Sequence, residues 1–353
     1  MTSPRSVAIL RHGGELLSPP VQSVFMNGTE SVPAPAPSAT EVLPAIGFAG
    51  LGRMGFPLAQ RLSQSGLPVV AFNRTRQKSE ALAALGARWV ATPRDLAKSI
   101  GKGITFVMLT DAKAVQSVLF GRSGYAKVAP PGALVVDLTT IDPEESRAFS
   151  ARLAERGIHY LDAPVGGSVD QAARGEVMFF VGGEEQDLAR ARPLLERVGQ
   201  RVDHMGPVGA GTSMKLVNNL LTIGITTLST EALALADGFH LDRARVLEVL
   251  QAGGGRSAML ERKSPAFVTR QYPAQFTTTL ARKDLKLVEK AASREGRVLK
   301  MTREARKLID EAIAQGHSEE DFSSVLEATL LRGRRTSPAP APTPAPEGSS
   351  APG

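Results

Sequence analysis

The chain has 353 residues, 42% hydrophobic and 5% aromatic, with a formal net charge of +7 and no cysteine. That length and apolar content support a sizeable core and point to two domains with tails. The absence of cysteine excludes disulfides, thiol nucleophiles and thiolate metal sites. The basic excess lies mostly beyond residue 240, scattered in Arg243, Arg262, Arg282, Lys286, Arg303 and Lys307, in a chain with few aromatics. It reads as a surface that attracts anionic cofactors and acids, so no nucleic-acid partner is expected. No apolar run reaches the roughly 18–20 residues of a membrane span without polar interruption, so no membrane partner is expected either.

Residues 1–43 mix Pro, Ser, Ala and Gly without period and read as a disordered extension, with an extended spacer over 32–37. Arg5 and Arg11 lack a following apolar stretch, and Glu15 and Glu30 count against a transit peptide, so a cytoplasmic location is expected. Strands are predicted over 45–49, 68–72, 104–109, 134–137, 160–163 and 178–181, with helices to about 65 and over 78–85 and further helical or turn material between. This alternation predicts an α/β Rossmann-like domain over 44–207, a doubly wound parallel sheet covered on both faces. From about residue 212 the pattern becomes purely helical and predicts an all-α domain over 208–332, joined by one long interdomain helix. That helix carries Leu216, Val217, Leu220, Leu221, Ile223, Ile225 and Leu228 on all its faces. It is expected to be buried end to end between domains or subunits, in a homodimer or homotetramer. Residues 333–353 are Pro/Ala-rich and read as a disordered tail.

Gly50-Leu51-Gly52-Arg53-Met54-Gly55 follows the first strand and opens a helix, the context a dinucleotide fingerprint requires. Gly50 permits the turn, Gly52 lets the backbone approach a pyrophosphate, and Gly55 lets helix and strand pack closely. An NAD-binding strand ends in a carboxylate about 20 residues further on. Here the second strand ends Phe72-Asn73-Arg74-Thr75-Arg76, with Lys78 close behind. Arg74, Thr75 and Arg76 are suited to a 2′-phosphate, so NADP(H) is preferred and NAD(H) remains possible. Thr139 and Thr140 offer hydroxyls at the carboxyl end of a strand, where ligands of doubly wound sheets bind, or form a simple turn before Pro143. Lys215 and Asn219 are four residues apart at the start of the long helix and share a face. An ammonium and an amide converging beside a nicotinamide can protonate and orient a carbonyl that accepts hydride. The five histidines, His12, His159, His204, His240 and His317, show no metal-ligand spacing, and no metal is expected.

Five segments in order carry a resemblance. They are 47–55, Asp137-Leu138-Thr139-Thr140-Ile141-Asp142-Pro143, Asp162-Ala163-Pro164-Val165-Gly166-Gly167-Ser168, Gly209-Ala210-Gly211 through Lys215 and Asn219, and Lys283-Asp284-Leu285. Over about residues 45–331 the chain resembles the β-hydroxyacid dehydrogenase family. The Asn73-Arg74-Thr75 turn is most similar to the NADPH-using glyoxylate/succinic semialdehyde reductase branch. The resemblance implies an NAD(P)-dependent oxidoreductase that interconverts a small hydroxy acid and its aldehyde. It makes Lys215 the acid/base and Asn219 its partner. It places Gly50, Leu51, Gly52, Arg53, Met54, Asn73, Arg74, Thr75, Leu109, Thr110, Thr140 and Lys283 on the cofactor, and Thr140, Gly166, Gly167, Ser168, Phe276 and Asp284 on the small carboxylate or aldehyde substrate. Many family members carry serine where this chain has Gly166, which leaves the substrate open. The alternatives are an imine reductase on the same scaffold and a non-catalytic dinucleotide-binding module; relatives of both kinds typically lack the lysine at position 215.

Overall fold

The structure, a computed structural model, describes residues 45–336. The expected disordered extension lies outside these residues, as does the expected tail beyond Thr336. In chain order the first part comprises β1 (Ile46–Ala49), α1 (Gly55–Gln64), β2 (Val69–Phe72), α2 (Arg76–Ala83), β3 (Arg88–Trp89), α3 (Pro93–Ile100), β4 (Ile104–Val107) and α4 (Ala112–Phe120). It continues with β5 (Leu134–Asp137), α5 (Pro143–Ala154), β6 (His159–Asp162), β7 (Val165–Gly166), α6 (Val169–Arg174), β8 (Met178–Gly182), α7 (Glu185–Val198) and β9 (Arg201–Gly206). The second part is helical: α8 (Ala210–Gly238), α9 (Arg243–Ala252), α10 (Ala258–Thr269), α11 (Thr278–Arg294), α12 (Lys300–Ala314) and α13 (Val325–Thr336).

The strands lie in the order β3-β2-β1-β4-β5-β6-β8-β7, with β9 beside β8. The first six are parallel, as the strand–helix alternation implies. Their residues alternate between two apolar layers. Phe48, Phe106, Leu134 and Val136 enter one layer, while Ala49, Val107 and Val135 enter the other. Burial on both faces explains why these strands read as short continuous apolar runs.

The sheet is not wholly parallel, and this corrects the sequence expectation. β8 runs antiparallel to both β6 and β7. β3, β7 and β9 were also not anticipated. β7 has two residues, and β9 is an edge strand reading Arg-Val-Asp-His-Met-Gly with no apolar alternation to mark it.

α8 leaves the sheet through a fixed corner. Asp162, at the end of β6, is fully buried, and its carboxylate accepts from Gly209 N (2.8 Å), Thr212 N (2.6 Å) and Thr212 Oγ1 (2.9 Å). These are amides at the start of a helix that has no earlier carbonyls to satisfy them. Gly211 completes the corner, since a Cβ there would lie 2.2 Å from Phe180 O on β8.

Burial of α8 is one-sided within the single chain, so end-to-end burial, as expected between domains or subunits, would need a second copy. Leu216, Ile223, Leu233 and Ala236 are buried, but Val217, Leu221, Leu228 and Leu235 are 54–61% exposed and form one stripe. α8 is also long and apolar enough, by length and composition alone, to cross a membrane, which the sequence reading had not recognised. Its buried face packs instead on β8, α11, α12 and α13.

Replacing Asp162 by Ala leaves two buried helix-start amides without acceptors, at ~1–3 kcal/mol each. Asp162→Ala is therefore expected to lose about 2–5 kcal/mol of unfolding free energy in urea titration. A variant within 0.5 kcal/mol of the parent, roughly the scatter of neutral surface changes, would show that the corner does not depend on this carboxylate.

Candidate active site

A cleft of about 930 Å³ runs between the carboxyl ends of β1, β2, β4 and β5 and the helices α8, α10 and α11. This is near the upper end of small-molecule sites, roughly 300–1,000 Å³. At one end lies the glycine loop. Gly50 adopts φ +103°, and a Cβ there would meet Met108 O at 2.1 Å. A Cβ on Gly55 would lie 2.1 Å from Gly50 O, whereas one on Gly52 would meet nothing within 4 Å. The outer glycines thus close the turn and seat α1, and Gly52 presents open backbone at a helix N-terminus, where anions bind.

Gly50, Gly52, Arg53 and Met54 line the cleft, while Leu51 does not. Leu51 is buried in the core, and its amide donates to Asn73 Oδ1 at 2.9 Å. Asn73 in turn donates through Nδ2 to Thr75 O at 2.8 Å, tying the glycine loop to the turn after β2. Arg74, Thr75 and Lys78 line the cleft at that turn. Arg76 turns away. It pairs with Glu80 at 3.0 Å and stacks 5.1 Å from the Trp89 ring, and Lys78 rather than Arg76 lines the cleft.

Leu109, Thr110 and Thr140 line the middle of the cleft. Asp137, buried at the end of β5, accepts from Thr139 N (2.9 Å) and from Tyr160 Oη (3.0 Å). Burial pushes its carboxyl up to about 6 despite these bonds. Thr139 is fully buried and its hydroxyl accepts from Leu109 N at 3.1 Å. Thr139 therefore joins the ends of β4 and β5, and only Thr140 faces the cleft. Lys283, reaching across from α11, donates to Thr110 O (3.1 Å) and Thr140 O (2.8 Å).

Lys215 and Asn219 meet on the cleft face of α8, as their spacing implies. Lys215 is 8% exposed, and burial lowers its ammonium from 10.5 to about 8; Asp284 opposes that fall and Lys283 adds to it. Asn219 Nδ2 donates to Asp284 Oδ2 at 2.6 Å, and its Oδ1 accepts from Asn218 Nδ2 at 3.1 Å. Asp284 Oδ1 lies 3.1 Å from Lys283 Nζ, an ion-pair separation without hydrogen-bond alignment.

The segment after β6 departs from expectation. Gly166 is buried in the β7–β8 ladder and does not line the cleft; a Cβ there would meet Met178 Cγ at 2.7 Å. Gly167 and Ser168 do line it. Ser168 is the N-cap of α6, however, with its hydroxyl accepting from Gln171 N and its amide donating to Gln171 Oε1. Its amide and one hydroxyl lone pair serve the helix, its O–H is left to donate, and Gly167 offers backbone beside it.

Sequence reasoning missed the opposite wall, where Lys263 on α10 forms a buried ion pair with Asp321 at 2.7 Å. Asp321 Oδ2 accepts from Phe276 N at 3.1 Å and so fixes Phe276, which faces the cleft edge-on to Phe322. A lone lysine in a basic stretch gives no sequence signal for such a pair. Arg53, Arg74, Lys78, Arg122, Lys215, Arg262, Lys263 and Lys283 line the cleft, against Asp284 and Glu319. Its field favours an anionic cofactor and substrate.

The comparisons agree with this geometry. Residues 45–206 match the family model for the NAD binding domain of 6-phosphogluconate dehydrogenase, and residues 209–329 that for the NAD-binding of NADP-dependent 3-hydroxyisobutyrate dehydrogenase. Glyoxylate/succinic semialdehyde reductase 2 of Arabidopsis thaliana is 32% identical over 80% of this chain and 79% of its own length. The 2-hydroxy-3-oxopropionate reductase of Escherichia coli is 32% identical over 81% and 97%. The chain belongs to the β-hydroxyacid dehydrogenase family. Among solved structures, 3-hydroxyisobutyrate dehydrogenase from Salmonella typhimurium superposes with a TM-score of 0.73 at 28% identity, over 80% of this chain and 99% of that one. Imine reductases share the fold at a TM-score of 0.53, one from a Pseudomonas species at 18% identity. This β-hydroxyacid dehydrogenase is an NAD(P)-dependent oxidoreductase acting on hydroxyl and carbonyl groups of small molecules.

The pH behaviour follows from Lys215. With Lys215 as the acid/base that the family resemblance implies, alcohol oxidation would need it neutral and carbonyl reduction would need it protonated. Lowered to about 8, it should give oxidation kcat/KM that rises through that pH and reduction kcat/KM that falls above it. A midpoint near the free-lysine value of about 10.4 in the pH–rate profile would show that the burial seen here does not persist at turnover.

Proposed function

We propose that this β-hydroxyacid dehydrogenase is an NADP(H)-preferring reductase of small aldehydes bearing a carboxylate, of the glyoxylate or semialdehyde type, with Lys215 as acid/base. A bound nicotinamide supplies or takes the hydride. Lys215 Nζ gives its proton to the carbonyl oxygen in reduction and takes it back in oxidation. Asn219, with its amide oriented by Asp284 and Asn218, holds the same oxygen in line. Thr140, Gly167 and Phe276 bound the substrate end, and the cationic lining favours its carboxylate. The observation that carries the reading is the buried lysine on the cleft face of α8, a group suited to C=O rather than to C=N. Measuring NADPH oxidation with glyoxylate, succinic semialdehyde, 2-hydroxy-3-oxopropionate and a cyclic imine tests it. Turnover of the imine alone would overturn it.

Lys215→Ala should lose roughly 10²–10⁴-fold in kcat, with NADPH affinity within a few-fold of the parent by fluorescence titration. Retention of more than about a tenth of kcat would make Lys215 a binding residue.

Arg74, Thr75 and Lys78 support the cofactor preference, since they line the cleft where NAD-specific enzymes carry a carboxylate. NADPH should bind more tightly than NADH by about 2–3 kcal/mol, the worth of two charge-assisted contacts. Arg74→Ala should erase most of this difference, while Arg76→Ala should leave it unchanged. Equal kcat/KM for the two cofactors in the parent enzyme would remove the basis of the assignment.

The open stripe Val217, Leu221, Leu228 and Leu235 supports a homodimer or homotetramer assembled on α8. Light scattering should report at least twice the 37.3 kDa chain mass, and Leu228→Asp should lower it. A monomer at micromolar concentration would contradict this assembly.

A further inference from the structure

α11 presents two different faces. Asp284 points toward Asn219 on α8, while Lys283, Lys290 and Arg294, spaced seven and four residues apart, fall on one stripe facing the cofactor domain. Lys283 takes the carbonyls of Thr110 and Thr140. Lys290 Nζ lies 2.9 Å from Asp142 Oδ2, and Arg294 grips both carboxylate oxygens of Asp142, with Nη1 2.9 Å from Oδ2. Asp142 has no exposed surface. It directly follows Thr139-Thr140-Ile141 and is the N-cap of α5, where its Oδ1 accepts from Glu144 N at 3.0 Å. Its carboxylate thus serves two elements at once, the start of α5 and the distal half of α11.

The other rim of the cleft is crossed differently. There Arg53 Nη1 donates to Ala274 O at 3.3 Å and Asp170 N to Gln275 Oε1 at 3.3 Å, both exposed and long. Long exposed hydrogen bonds exchange readily with water, whereas a bidentate guanidinium–carboxylate pair with one fully buried member is costly to separate. The charged rim is the firmer of the two.

We propose that Asp142, Lys290 and Arg294 form an interdomain clasp that seats α11 on the cofactor domain, fixing Lys283 and Asp284 over the cleft and slowing dinucleotide release. Asp142 and Arg294 are positioning residues. They touch neither cofactor nor substrate, and act through the placement of Thr140 on one side and Lys283 and Asp284 on the other. The inference rests on the cleft being the dinucleotide site of this family.

The test uses the full-length chain with Asp142→Asn, which keeps a good helix cap but removes the charge, together with Arg294→Ala and the conservative Arg294→Lys. Two readouts are taken: NADPH release by stopped-flow displacement, and hydrogen exchange of the amides of residues 278–294 without cofactor. In Asp142→Asn and Arg294→Ala, release and exchange should each quicken about tenfold, a typical coupling between sites. KM for NADPH should rise in step while kcat changes by less than about threefold. Arg294→Lys should stay within about twofold of the parent, because an ammonium at that position restores a charged donor to the Asp142 carboxylate. If Asp142→Asn fails to fold, as judged by circular dichroism, Arg294→Ala decides alone. Release and exchange at parental rates in a folded Arg294→Ala would overturn the clasp. Absence of NADPH binding by the parent would instead overturn the cofactor reading, with the exchange measurement still judging the clasp.

Discussion

The structure depends on one carboxylate at the junction of its two halves. Asp162 ends β6 and receives the first amides of α8, so the last strand of the parallel sheet and the first turn of the helical domain share a single hydrogen-bonded corner. Burial pushes this carboxyl up, against the pull of the Gly209 and Thr212 amides. Those donors have no other intrahelical partner, and the carboxylate is fully buried, so each side needs the other. Lys215 lies less than one turn beyond Thr212. The Lys215 ammonium is therefore placed by the sheet, with α10 and α11 lining the same cleft.

Much of this was legible in the sequence because it is written in local rules. Gly50 and Gly55 close the turn and seat α1 as their spacing implied, and Gly52 leaves open backbone beside them. The four-residue interval from Lys215 to Asn219 put both on the cleft wall. The alternation of short apolar strands and helices marked five of the six parallel strands, all but the two-residue β3. What failed was non-local. The reversal at β8 depends on pairing between segments whose sequences carry no register signal. The exposed stripe on α8 depends on which face the rest of one chain can cover. Arg76 illustrates the limit within a single motif: it sits two residues from Arg74 in a turn that looks uniformly basic, yet Glu80 and Trp89 take its side chain. Lys263 gave no signal because its meaning lies in Asp321, 58 residues away.

The substrate end shows how a small change alters a site by subtraction. Where relatives carry a side chain in the segment after β6, this chain has Gly166, and Met178 stands where that side chain would begin. Ser168, two positions on, spends its amide N–H and one lone pair of its hydroxyl on the α6 cap, which leaves only the hydroxyl's O–H to offer. Gly167 lines that side of the cleft, and Phe276, fixed through Asp321 and the Lys263–Asp321 pair, lines the opposite wall.

α8 can also be viewed as a lever with its pivot at Asp162. At 1.5 Å per residue, Lys215 lies about 4.5 Å from Thr212, whereas Gly238 lies about 39 Å away. A tilt of about 5° about the anchored turn would sweep the far end by roughly 3 Å while moving the Lys215 backbone by only about 0.4 Å. Misplacement by about 1 Å suffices to cost two orders of magnitude in rate. A helix clamped at the other end would transmit every adjustment of its apolar stripe to the chemistry. Anchoring beside the lysine insulates proton transfer from whatever the distal turns pack against, which leaves that surface free to diverge.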